Sequence, residues 1–256
     1  MKIYILVEDT KKESRFEAEH GLSAYFEKDG KKFLFDLGQS GMFLRNAGKM
    51  GLDLSDVDYL IFSHGHYDHT GGLPALPKTS KLKIVAHPDC LLPKYHDKRY
   101  IGIPAGIDNK IFNLKDKPFK LTEHVWFLGE IPGNREKNLG NQVKDGIKSK
   151  DFLLDDSALV IIEENRLVII SGCAHSGIAN IARYAKNLFP KKELTIIGGF
   201  HMLNHSDEQI QKTIKDLKKL NVIKVYPGHC TGNVAIKALL SIFKGERIHS
   251  GKVLEV

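Results

Sequence analysis

The chain has 256 residues, 42% hydrophobic and 27% charged, with a formal net charge of +7, so one large domain or two small ones can bury a substantial core. No apolar run approaches the roughly 18–20 residues that cross a bilayer. Three cysteines (Cys90, Cys173, Cys230) without a C-x-x-C pair argue against a disulfide framework and for a reducing, cytoplasmic setting.

Ile3 to Val7 reads as a first strand rather than a signal peptide, since its apolar stretch is short and ends in acids. A polar loop runs to about His20. Leu22 to Glu27 and Lys32 to Asp36 flank Asp29-Gly30, a tight hairpin turn. A short helix follows, with Phe43, Ala47 and Met50 at helical spacing and Gly51 ending it. The apolar run Asp58 to Phe62 leads into Ser63-His-Gly-His-Tyr-Asp-His69, and Lys83 to Ala86 is the next strand. Residues 91–150, rich in Pro and Gly, offer one clear strand near Val125 to Leu128 and read as an insertion or lid within a single 1–256 domain. Regularity returns in a hairpin, Ser157 to Ile162 and Leu167 to Ser171, turning at Glu164-Asn165. Ser176 is placed to cap a helix carrying Ile178, Ile181, Ala185 and Leu188. Leu194 to Ile197 is a strand, Ser206 and Gln209 form a capping box for the next helix, and Val222 to Tyr226 is a strand ending at Gly228-His229. A last helix near Val234 to Phe243 and an edge strand at Val253 to Val256 complete the chain. Two blocks, each opening with hairpins and closing in strand–helix alternation, fit an α/β fold: a four-layer αββα sandwich of two mixed sheets with an insertion.

Residues 63 to 69 place three imidazoles and a carboxylate in one loop directly after a buried strand. His64 and His66 can aim at one point, Asp68 and His69 at a neighbouring one. Neutral imidazole nitrogens and an ionised carboxylate are what a zinc-like ion takes. His175, His201 and His229 repeat a common grammar of apolar strand, small residues, then histidine. Ligands gather at the carboxyl ends of strands in α/β folds.

With these residues in place the chain resembles the metallo-β-lactamase fold over nearly its whole length. The motifs are Phe35-Asp-Leu-Gly38, Ser63 to Gly72, Ser171-Gly-Cys-Ala-His175 and Pro227-Gly-His229. The resemblance implies an αββα sandwich with a one- or two-metal site at one edge of the sheets. It assigns His64, His66 and a third histidine to one metal, with His175 preferred and His201 the alternative. It assigns Asp68, His69 and His229 to the second metal, and to Asp36 a buried carboxylate orienting the loop. Cys173 stands where many members carry a bridging Asp, either as a thiolate ligand or as a small buried residue. His20 either approaches the metal edge or, as the reading prefers, supports its loop. Within that family the chain is similar to the 7,8-dihydropterin-6-methyl-4-(β-D-ribofuranosyl)aminobenzene-5'-phosphate synthases, through Glu19 to Ser23, Gly172 to Gly177, Gly198 to His201 and Gly228 to Gly232.

The expected activity is that of a metal-dependent, dizinc enzyme (Mn²⁺, Fe²⁺ or Mg²⁺ being alternatives) acting on a small anionic, phosphorylated substrate. Metal-bound hydroxide or Lewis-acid catalysis would drive it, with Asp68 orienting the nucleophile and His201 protonating the leaving group. The similarity implies instead a synthase that expels pyrophosphate. A third reading, from another class, is a non-catalytic metal-bound sensor whose metal shell is closed. Positive charge favours anionic ligands, and Tyr95, Tyr100, Phe112, Phe119 and Trp126 of the insertion read either as core or as a platform for a flat substrate. Lysine pairs at Lys31-Lys32, Lys191-Lys192 and Lys218-Lys219 fit solvated faces as well as an anion-attracting surface. No basic tract interleaved with aromatics marks a nucleic-acid module. A homo-oligomer is left open. A redox role is disfavoured, because di-iron relatives place a carboxylate where His66 stands and no flavin domain follows.

Overall fold

Period-two alternation in the strands explains the layering seen in the computed structural model, which describes residues 1–77, 81–133, 138–191 and 193–256. The first half supplies β1 (Lys2–Val7), β2 (Ser23–Lys28), β3 (Lys31–Phe35), α1 (Met42–Lys49), β4 (Tyr59–Ile61), α2 (Tyr67–Thr70) and β5 (Lys83–Ala86). Next come β6 (Lys94–His96), β7 (Arg99–Tyr100), β8 (Phe112–Leu114), β9 (Phe119–Lys120), β10 (Val125–Phe127), β11 (Asn141–Lys144) and β12 (Ile147–Lys150). The second half holds β13 (Ala158–Ile162), β14 (Arg166–Ser171), α3 (Ile178–Leu188), β15 (Glu193–Gly199), α4 (Asp207–Lys219), β16 (Val222–Gly228), α5 (Asn233–Leu240), β17 (Lys244–Gly245) and β18 (Val253–Glu255).

Two seven-stranded sheets form, ordered β18-β1-β2-β3-β4-β5-β8 and β17-β16-β15-β14-β13-β10-β9. Both are mixed: one half pairs antiparallel, and the half containing β3-β4-β5-β8 or β14-β15-β16-β17 pairs parallel. Successive side chains point to opposite faces of a strand. Thus Leu159, Ile161, Val168 and Ile170 meet Ile3, Ile5, Phe33 and Phe35 between the sheets. Their neighbours Val160, Leu167 and Ile169 pack outward under α3, α4 and α5, and α1 covers the first sheet through Phe43 and Ala47. The layers are helix, sheet, sheet, helices.

Residues 91–150 hold more than the single strand near Val125. Strands β8, β9 and β10 join the edges of the main sheets, while β12-β11-β6-β7 form a separate four-stranded sheet. Runs of two to four residues carry too little alternation to register as strands. The five insertion aromatics do not form a platform at the site. Phe112 lies in the core of the first sheet, Trp126 packs on Phe189, and Tyr95 packs edge-on against Tyr100. Ser176 does not cap α3: the helix begins after Gly177, and Ser176 is turned to Asp156 instead. The capping box of Ser206 and Gln209 on α4 is present. Lys31 and Lys32 are paired with Asp58 and Asp56 rather than free to attract a ligand, and Lys192 lies outside the described residues. Among the described residues no helix is long and apolar enough to cross a membrane.

Candidate metal centre

The parallel halves of both sheets end at one edge, and their loops carry the histidines. Asp36 follows β3, the 63–69 loop follows β4, His175 follows β14, His201 follows β15 and His229 follows β16. Four of these loop positions hold non-glycine residues in the left-handed region: Asp36 (φ 54°), Ala174 (58°), His201 (49°) and His229 (47°). Strain of this kind persists where surrounding structure enforces it, commonly at functional sites. Gly65, between His64 and His66, is required by a close approach: a Cβ there would overlap the carbonyl of Cys90.

Two ligand sets emerge, each with its donor atoms within 4.8 Å of one another: His64, His66 and His175, and Asp68, His69, Cys173 and His229. In the first, His64 Nε2 lies 3.0 Å from His66 Nδ1 and 3.2 Å from His175 Nε2. Ser63 Oγ donates to Asp36 Oδ2 at 2.7 Å, so it accepts from His64 Nδ1 at 2.9 Å. That assigns the His64 proton to Nδ1 and leaves its Nε2 lone pair facing two other imidazoles. Burial pushes the pKa of His66 down to about 4 and holds His64 and His175 well below the ordinary histidine value. They are therefore neutral at pH 7, the form that binds metal. Three ring nitrogens at such distances can share one cation. Tetrahedral zinc with Zn–N of about 2.0–2.1 Å sets its nitrogens about 3.3 Å apart.

The second set is wired the same way. His69 Nδ1 donates to Asp36 Oδ2 at 2.7 Å, and His229 Nδ1 to Asp9 Oδ1 at 2.7 Å. Their Nε2 atoms then face Asp68 Oδ2 at 3.5 and 3.4 Å, and His69 Nε2 is 3.3 Å from Cys173 Sγ. Burial alone would raise the Asp68 pKa, but the rings of His69, His20 and His229 hold it below the usual carboxylate range. His20 reaches the metal edge rather than only supporting its loop: Nε2 sits 3.3 Å from Asp68 and Nδ1 2.9 Å from Asp9. Hydrogen bonds to Asp68 and then Asp9 push its pKa up to about 9. Asp9 and Asp68 concentrate negative charge at this end, which suits a cation. Both donor sets are of the chemistry that holds metal ions.

His201 is not among these donors; it lies beside them, its ring centroid 4.3 Å from that of His175. The site borders a cavity of about 720 Å³, whose wall includes His66, Asp68, His175, His201, Arg99 and Arg247. None of the five insertion aromatics lines it. Asp9, Ser63 and Cys230 escaped the sequence reading. For Asp9 the available signal was its place just past the end of β1, echoing Asp36 at the end of β3. Glu8 beside it accepts the backbone N–H of His229 at 2.7 Å.

A family model of the metallo-beta-lactamase superfamily matches residues 18–229. An uncharacterized protein of Methanocaldococcus jannaschii is 34% identical over 99% of this chain and 100% of its own length. The 7,8-dihydropterin-6-methyl-4-(beta-D-ribofuranosyl)-aminobenzene-5'-phosphate synthase of the same organism is 32% identical, covering 100% of this chain and 96% of that protein. Among solved structures, Tm1679, a metal-dependent hydrolase of the beta-lactamase superfamily, superposes with a TM-score of 0.87 at 33% identity, covering 100% and 99% of the two chains. The chain belongs to the metallo-β-lactamase superfamily.

Proposed function

We propose that this protein is a metal-dependent enzyme that holds two zinc-like ions and acts on a small, anionic, phosphorylated substrate. The observation that carries the reading is the convergence of histidine lone pairs, fixed by Ser63, Asp36 and Asp9, beside a cavity of about 720 Å³. His64, His66 and His175 would hold one ion; Asp68, His69 and His229, with Cys173 beside them, would hold the other. Such ions, when bound, supply Lewis acidity and lower the pKa of water from about 15.7 to about 7. Ser63, Asp36 and Asp9 keep the Nδ1 protons in place, so that three Nε2 atoms face the site. Asp68 orients the attacking group. His201, on the cavity wall, is placed to give a proton to the leaving oxygen; burial would lower its pKa, but Cys230 raises it on balance. Arg99 and Arg247 bring positive charge to the same wall, which suits a phosphate group.

The full-length relative named as a synthase supports a second reading. A pterin bearing a pyrophosphate would be coupled to a phosphorylated ribofuranosyl-aminobenzene, with pyrophosphate expelled. The test is to measure metal content by inductively coupled plasma mass spectrometry on protein purified without chelators or a histidine tag, then assay both reactions. Close to two ions per chain, with turnover lost on chelation and restored by zinc, is the expected outcome. Pyrophosphate release from the paired substrates selects the synthase; phosphodiester cleavage selects the hydrolase. A rate indifferent to chelation overturns both. Bound ions with no turnover in either assay would leave the metal-bound sensor.

A further inference from the structure

Besides the two ligand sets already described, a third group of metal-binding side chains, sharing Cys173 with the second, stands at the same edge. Cys173, His201 and Cys230 present their donor atoms within 4.8 Å of one another. They come from the loops after three adjacent parallel strands, β14, β15 and β16. Cys230 Sγ donates to the carbonyl of Cys173 at 3.4 Å, which holds the two loops together. His201 Nδ1 is buried with no hydrogen-bond partner. All three residues line the cavity. The backbone permits this grouping only because residue 199 is glycine: a Cβ there would meet Cys230 Sγ and the carbonyl of Gly172.

We infer that Cys173, His201 and Cys230 form a sulfur-rich cation site beside the nitrogen and oxygen donors, suited to a thiophilic ion of the zinc class. Thiolate and imidazole ligands select zinc, cadmium or copper(I) over magnesium, calcium or manganese. Three protein donors would leave a tetrahedral ion one position for water or substrate, and all three residues line the cavity, which fits an exchangeable rather than a purely structural site. Cys173 belongs to both groups, since its Sγ is also 3.3 Å from His69 Nε2. A thiolate has lone pairs enough to serve two ions. Binding releases the thiol protons to solvent as the sulfur–metal bonds form. The inference rests on the proposed metal-binding function through the shared Cys173, and it makes His201 a ligand while this site is filled, so that its proton-donor role belongs to the site when empty.

Cadmium is the probe, because thiolate coordination gives an ultraviolet charge-transfer band that nitrogen and oxygen donors do not. Metal-free full-length protein, kept reduced, is titrated with Cd²⁺ while the band and the bound metal are recorded, for the wild type, Cys230→Ser and His66→Ala. The wild type is expected to bind one more ion per chain than Cys230→Ser, which also loses about half the band. His66→Ala is expected to lose an ion and keep the band. Equal stoichiometry and equal bands in the wild type and Cys230→Ser would overturn the sulfur-rich site. Failure of the six-residue reading gives a different pattern: His66→Ala binds as much as the wild type. A second measurement needs no variant. Bound Cd²⁺ should slow alkylation of Cys230 in the wild type, mapped by peptide mass spectrometry, and unchanged labelling would count as decisively against the site.

Discussion

Asp9 and Asp36 do the same work at two histidines. Asp36 directly follows β3 and accepts a hydrogen bond from His69 Nδ1; Asp9 lies just past β1 and accepts one from His229 Nδ1. Outer carboxylates of this kind fix the tautomer of a ligand, and losing one typically weakens metal affinity about 10–100-fold. Asp9→Ala is therefore expected to weaken the ion at Asp68, His69 and His229 by that factor while sparing the one at His64, His66 and His175. Competition against a chelator of known affinity reads both constants; an unchanged weaker constant would remove the positioning role. Asp36 was legible because it abuts a strand in a motif that resembles a family. Asp9 was not, since its partner His229 is 220 residues away in sequence. Its place just past β1 is the one local signal, and without the contact to His229 that signal also fits a solvated loop acid. Cys230 likewise is an ordinary residue until β14 and β16 bring its thiol to Cys173.

At the level of elements, the metal loop is pinned from behind by a buried ion network. Lys94 on β6, fully buried, reaches Asp151 at 2.8 Å and Asp155 at 3.0 Å, and Asp155 accepts the backbone N–H of Gly65 at 2.7 Å. The small sheet β12-β11-β6-β7 is thereby tied to the loop that carries His64 and His66. Breaking such a pair leaves an uncompensated buried charge and costs about 3–5 kcal/mol. Lys94→Met should lower unfolding free energy by that order in urea, and a loss under 1 kcal/mol would mean the network is solvated. Burial would raise the Asp155 pKa, but Lys94 outweighs it and the net shift is down. The linked stability is present above the unfolded carboxylate pKa of about 3.9 and disappears as pH falls through the lower folded value. Burial would lower the Lys94 pKa, yet Asp155 and Asp151 raise it. Its contribution is complete below about 10.4 and is lost as pH rises through the folded value. Urea midpoints across acid pH should thus fall less steeply in Asp155→Asn than in the wild type. The strands β6, β7, β11 and β12 were hidden from sequence reading because Lys-rich, half-exposed ribbons lack an apolar face. The αββα frame was plain because β13 to β16 alternate cleanly between two buried layers.

At the scale of the whole molecule, the ligands are divided between the halves of the sandwich. His64, His66, Asp68 and His69 come from the first sheet's loop, whereas His175 and His229 come from the second sheet. An ion shared by His64, His66 and His175 would join the two sheets at their parallel ends, where several backbones sit in the left-handed region. A cation that binds only the folded chain adds RT ln(1 + [L]/Kd), about 2.7 kcal/mol per site at one hundred times Kd. In a chain of this size each kcal/mol moves the melting point by about 2–4 °C, so one filled site should raise it by about 5–11 °C. Chelation should lower the melting temperature by at least that much, and added zinc should restore it with a rise that follows the logarithm of zinc concentration. His175→Ala should blunt the response, because His175 is the second sheet's donor to the bridging set. Identical melting curves in chelator and in zinc would show that the ligands meet without an ion, and an undiminished zinc response in His175→Ala would remove the bridge between the sheets.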